Sequence, residues 1–75
     1  MLPERRDNMA KVTIAGARVT NGWSQQEFAD KLGVSRSAVQ KWESGRAEIK
    51  ISRLRAIADL TGFELNDFLL PEKYA

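Results

Sequence analysis

Between Ser35 and Arg46 the chain gathers side chains suited to hydrogen-bonding polar edges and anions: Ser35, Arg36, Ser37, Gln40, Lys41, Ser44 and Arg46. On a helical wheel of ~100° per residue with Val39 at zero, Ser37, Gln40, Lys41 and Ser44 fall roughly 100–200° away from it. Arg36 stands at the edge of that sector in the first turn, where a long side chain swings outward. The chemistry open to such a face is recognition rather than bond-making. Arg or Lys can bond guanine O6 and N7, Gln can bond adenine N6 and N7, and Ser can bond either. A polar outer face is also what any soluble helix shows to water, so the reading depends on the elements that carry it.

Catalytic chemistry finds little material. The 75 residues contain no Cys and no His. That excludes disulfides and ordinary zinc sites, the usual nucleophile–base pairs and the commonest general base. There is no Gly-rich phosphate loop and no recurring carboxylate pair. No enzyme, no cofactor and no metal site is expected, and stability must come from packing or from a partner chain. No apolar run approaches the ~20 residues of a transmembrane helix, and the polar N-terminus lacks the apolar region of a signal peptide. A cytoplasmic location is the plain expectation. The net charge of +2 is unevenly spread: eleven Lys and Arg face six Asp and Glu up to residue 55, and one faces four beyond it. A basic front suits a polyanion partner, although asymmetry of this size is common on surfaces that bind nothing.

Two short amphipathic segments position the polar face, in the stretch QQEFADKLGVSRSAVQKWESG. Phe28, Ala29 and Leu32 line one helix over about 25–32, and Ala38, Val39 and Trp42 line the next over about 36–44. Gly33 supplies a left-handed corner between them, and Val34 can turn inward over it. Ser24 and Ser35 stand where hydroxyls can cap the two helix starts. Small Ala29 lets the second helix cross close over the first. Two helices joined in this way make a helix-turn-helix.

A first helix over about 14–21, capped by Thr13 and closed by Gly22, precedes this unit, with Ile14, Ala17 and Arg18 on a shared face. Trp23 sits just ahead of the second helix, like the apolar member of a hydrophobic staple. Residues 46–50 form a loop. A fourth helix over about 51–61 turns Ile51, Leu54, Ile57 and Ala58 inward and stops at Gly62. A short fifth helix then turns Leu65, Phe68 and Leu69 inward before Pro71. The expectation is an all-α chain of five helices with no strand. Residues 1–10 read as a mobile arm, 11–70 as the domain and 71–75 as a tail. In the arm, Arg5 and Arg6 suit a minor groove, against a plain disordered leader with Met9 as the natural start.

Two charges point inward. Glu43 lies about 40° from Val39 on the buried side, and Arg18 shares the inner face of the first helix. They are expected to pair, against the alternative of a solvated glutamate worth under ~1 kcal/mol.

The text WSQQEFADKLGVSRSAVQKWESGR, followed by LRAIADLTGF and LNDFL, resembles the Cro/repressor type of helix-turn-helix regulators, the Xre-like family, over about residues 11–69. The opening VTIAGARVTNGWSQQEFA and the ending FLLPEKYA are similar to short regulators encoded by prophages of Gram-positive bacteria. The resemblance implies a lambda-repressor-like five-helix domain that binds operator DNA as a homodimer. It implies that Gln25 contacts phosphate and braces the recognition helix. Arg36, Ser37 and Lys41 would face base edges with Ser35 and Gln40 beside them, and Ser44 and Arg46 would hold the DNA backbone. An ion pair like Arg18–Glu43 occurs in some lambdoid phage repressors. Three departures stand out: no proline near Ile49, Glu64 where a Ser or Thr often caps the fifth helix, and Ala17 in place of a larger residue.

The function expected is a sequence-specific transcriptional regulator of phage or prophage type. Its partners would be double-stranded DNA and a second copy, with no membrane and no small-molecule ligand. Phe68, Leu70 and Tyr74 are the dimer candidates, against core and chain-end packing. Control would come through abundance, competition for sites or a regulatory protein. An antitoxin or a restriction–modification controller uses the same chemistry. A module that keeps the fold but binds protein belongs to another class.

Overall fold

Every α-helix among the described residues starts after a residue with extended backbone and stops at or beside a glycine. The computed structural model describes residues 11–69. In it α1 spans Ile14–Thr20, α2 Gln25–Leu32, α3 Arg36–Ser44 and α4 Ile51–Thr61, followed by a single 3-10 turn at Leu65–Asp67. The domain and arm boundaries at residues 1–10 and 71–75 fall outside the described residues.

The caps follow from short side chains placed where helical N–H groups lack partners. Thr13 Oγ1 accepts from the Gly16 amide at 2.9 Å, and Ser35 Oγ accepts from the Ala38 amide at 3.1 Å. Ser24 goes further. Its hydroxyl accepts from the Glu27 amide at 3.0 Å while Glu27 Oε1 accepts from the Ser24 amide at 2.8 Å, a reciprocal capping box. Trp23, one residue earlier, stacks on Phe28 with ring centroids 6.2 Å apart, which completes the hydrophobic staple and fixes the entry angle of α2.

The corner between α2 and α3 turns on Gly33, whose φ of 71° is left-handed. Its amide donates to Asp30 O at 3.2 Å and the Val34 amide to Ala29 O at 3.0 Å, so the last carbonyls of α2 are satisfied as the chain reverses. The same closure recurs after α3, where Gly45 donates to Trp42 O at 3.3 Å and Arg46 to Lys41 O at 2.9 Å.

Ala17, Phe28, Ala29, Val39 and Ile57 are fully buried, with Ile14, Ile49, Leu54, Ala58 and Phe68 nearly so. Ala29 has no exposed surface, and its helix α2 packs more extensively on α3 than any other pair of helices packs together. Ala17, small for its place, is buried in the same core cluster as the large ring of Phe28, with Trp23 partly buried against that cluster. Buried Ile49 anchors the 46–50 loop without a proline. Asn21 was not singled out from sequence, yet its Nδ2 donates to Ala17 O at 2.9 Å and to Thr61 O at 3.1 Å, tying the ends of α1 and α4.

Three expectations need correction. The all-α class holds, but the fifth helix is only the 3-10 turn, so there are four α-helices and no strand among the described residues. Phe68 is extended at φ −82°, ψ 135° and forms an isolated parallel bridge with Val12. Val12 donates to Asp67 O and accepts from the Leu69 amide, each at 2.8 Å. A nonlocal backbone partner at the start of the domain thus takes the groups that a continued helix would have used. Leu69 is consequently 57% exposed rather than inward. Ile51, also expected inside, is 51% exposed, because at the first position of α4 it precedes the turn that packs. The buried stripe of α4 is Leu54, Ile57, Ala58 and Thr61, the last sending its hydroxyl proton to Ile57 O at 2.8 Å. Glu64, lacking a capping hydroxyl, is served from the other side: Asp67 Oδ2 accepts from its amide at 3.0 Å.

Candidate nucleic-acid interface

Val39 is fully buried, and this fixes the rotation of α3. Every residue on the far side of the wheel is then exposed: Arg36, Ser37, Gln40, Lys41 and Ser44. The glycine closure at Gly45 curls Arg46 back beside the helix through its amide bond to Lys41 O. Ser37, Gln40, Lys41, Ser44 and Arg46 together line an open groove of about 260 Å³. Arg36 stands in the first turn of α3, and Ser35 is its N-cap. The Ser35 hydroxyl oxygen is engaged by the Ala38 amide, which leaves its proton free to donate.

The charge pattern sharpens this face. From Ser35 to Arg46 the chain carries the cations Arg36, Lys41 and Arg46 and a single acid, Glu43. That acid is turned inward, its side chain 9% exposed against Arg18 at 15%. The outward surface of the segment is therefore purely cationic and neutral-polar, which favours a polyanion.

Behind the face lies a connected polar network. Arg18 Nε donates to Glu43 Oε2 at 2.7 Å and Arg18 Nη2 to Glu43 Oε1 at 3.1 Å. The third arm of the guanidinium, Nη1, donates to Trp23 O at 2.8 Å. Gln25 Nε2 donates to Glu43 Oε1 at 3.0 Å, and Gln40 Nε2 reaches Gln25 Oε1 at 3.4 Å. The structure thus joins α1, α2 and α3 behind the groove and sets half-buried Gln25 against the exposed Gln40. Sequence reasoning had no means of finding the Gln25–Glu43 bond, because nothing local says which polar neighbour a glutamine at the start of α2 will meet.

The dimer candidates separate. Phe68 is 5% exposed and packs edge-on against Phe63 with centroids 6.2 Å apart, so it belongs to the chain's own core and has little surface left for a second subunit. Leu70 and Tyr74 lie outside the described residues, as do Arg5 and Arg6. Among the described residues no group of His, Cys, Asp and Glu could hold a metal, and no helix is long and apolar enough to cross a membrane.

The family model described as Helix-turn-helix matches residues 14–68. The chain is 38% identical over 58 residues to the SPbeta prophage-derived uncharacterized HTH-type transcriptional regulator YonR of Bacillus subtilis (strain 168), covering 77% of this chain and 53% of that protein. It therefore spans about half the length of that relative. It is 37% identical over 72 residues to a Neisseria hypothetical transcription factor of Neisseria meningitidis serogroup B, covering 93% of this chain and 68% of that one. Among solved structures, the hypothetical transcription factor NHTF from Neisseria superposes with a TM-score of 0.66 at 31% identity, over 99% of this chain and 92% of that chain.

Proposed function

Because the chain belongs to the helix-turn-helix family of transcription regulators, we propose that it reads operator DNA by laying α3 in the major groove. The family and the relatives above are regulators rather than enzymes. The observation that carries the finer reading is the one-sided α3: Ser37, Gln40, Lys41 and Ser44 converge with Arg46 on one groove, and the only acid of α3 is withdrawn into an ion pair.

In this reading Arg36, Ser37, Gln40 and Lys41 contact base edges, with Ser35 beside them, and Gln25, Ser44 and Arg46 hold phosphates. Two copies acting as a homodimer would set their α3 helices in successive major grooves about 34–36 Å apart, so the operator is an approximate palindrome. The likeness to a prophage-derived regulator supports a phage or prophage repressor acting on DNA in the host cytoplasm. Selection from a random duplex pool at moderate salt tests it. Enrichment of an inverted repeat with half-sites about one helical turn apart is expected. Retention without enrichment would leave backbone binding only, and no retention at low salt would leave a fold used to bind protein.

A further inference from the structure

The polar side chains behind α3 are joined in one direction. A carboxylate has only acceptor atoms, whereas a carboxamide has a donor end and an acceptor end. Glu43 Oε1 takes both Arg18 Nη2 and, at 3.0 Å, Gln25 Nε2. The Gln25 amide is thereby held with its NH2 group toward the ion pair and its oxygen toward α3. Gln40 meets that oxygen at 3.4 Å, and only its own NH2 end can donate there. Its Oε1 and its second N–H remain for the exposed face. An unconstrained glutamine instead turns its terminal amide over at little cost, because that torsion is broad and roughly two-fold.

We propose that Glu43 is a positioning residue for base readout, fixing through Gln25 the polarity with which the Gln40 carboxamide faces DNA. Gln40 then presents an acceptor oxygen and one N–H in a set order, the complement of adenine N6 and N7. The inference rests on the reading of Gln40 as a base-facing residue. It makes the ion pair part of specificity as well as of folding, since a neutral group at position 43 would let the Gln25 amide point either way.

The test compares full-length wild type with Gln40→Ala, Gln25→Met and Glu43→Gln in competition binding. The duplexes carry each of the four bases at every half-site position. Gln25→Met leaves both Arg18–Glu43 bonds in place, so it keeps the test alive if Glu43→Gln fails to fold. Gln40→Ala should abolish the preference for adenine at one position and so locate it. Gln25→Met should reduce that same preference about tenfold while leaving the preferences at other positions unchanged. Folded Glu43→Gln should do likewise. If Gln25→Met weakens all duplexes equally and keeps the preference, Gln25 is a phosphate contact only and the relay is overturned, with Gln40 surviving as a reader. If Gln40→Ala alters no base preference, the underlying reading and the relay fall together.

Discussion

Arg18 and Glu43, 25 residues apart in sequence, face each other through two hydrogen bonds of 2.7 and 3.1 Å, one to each carboxylate oxygen. The fork of a guanidinium matches the two oxygens of a carboxylate, and this geometry gives direction as well as strength. The pair closes α1 against the end of α3, and the bond from Arg18 to Trp23 O carries the same grip to the start of α2. The three helices joined behind the groove are thus referenced to one charge pair.

Breaking that pair from one side should be costly. Glu43→Ala strands the guanidinium and is expected to destabilise the fold by about 3 kcal/mol, toward the lower end for a buried pair because both groups keep some solvent access. In a chain of this size that lowers the melting temperature by roughly 10 °C or more. The double variant Arg18→Met with Glu43→Leu should recover much of the loss, since it leaves no unpaired charge. Thermal unfolding checks both. An unchanged melting temperature in Glu43→Gln would reduce the pair to the value of an exposed one, under ~1 kcal/mol.

Lys41 lies in the middle of the exposed face of α3 and lines the groove. Lys41→Ala should weaken the best duplex by about 1–3 kcal/mol and relax base preference at one position, with random DNA affected less. Equal losses on specific and random duplexes would remove Lys41 from the base readers.

Arg46 lies past the glycine turn, held by its backbone amide rather than by the helix. Arg46→Ala should therefore act as the loss of a phosphate contact. Affinity should fall alike for every sequence, and the slope of log K against log salt should lose about one unit. A salt titration of binding measures this directly, and an unaltered slope would place Arg46 away from the backbone.

Gly33 tests the corner of the motif. A Cβ there would meet nothing within 4 Å, so the cost of a side chain lies in the φ of +71° alone. Gly33→Ala should destabilise by about 1–2 kcal/mol, and Gly33→Asn by less, because asparagine tolerates the left-handed region. Both variants should keep their base preferences, since the corner changes energy and not the face of α3. A shifted preference would show that the corner also sets the angle of the helix.

Most of this molecule was legible locally. The boundaries of α2 and α3 and the end of α4 follow from Ser24, Ser35, Gly33, Gly45 and Gly62, because a cap or a left-handed stop acts on its own neighbours along the chain. The rotation of α3 follows from Val39 and Trp42, since one apolar stripe fixes the opposite face. The inward aim of Glu43 came from that same wheel.

The tertiary structure decided what depends on partners far away in sequence. Residues 65–69 carry a helical pattern, but the backbone of Val12 pairs with them and leaves one 3-10 turn with Leu69 in solvent. Asn21 finds Thr61, and Gln25 finds Glu43, only once three helices have met. Periodicity and capping are properties of a few consecutive residues and can be read from them. A hydrogen bond between distant groups belongs to the packing, and no local pattern contains it.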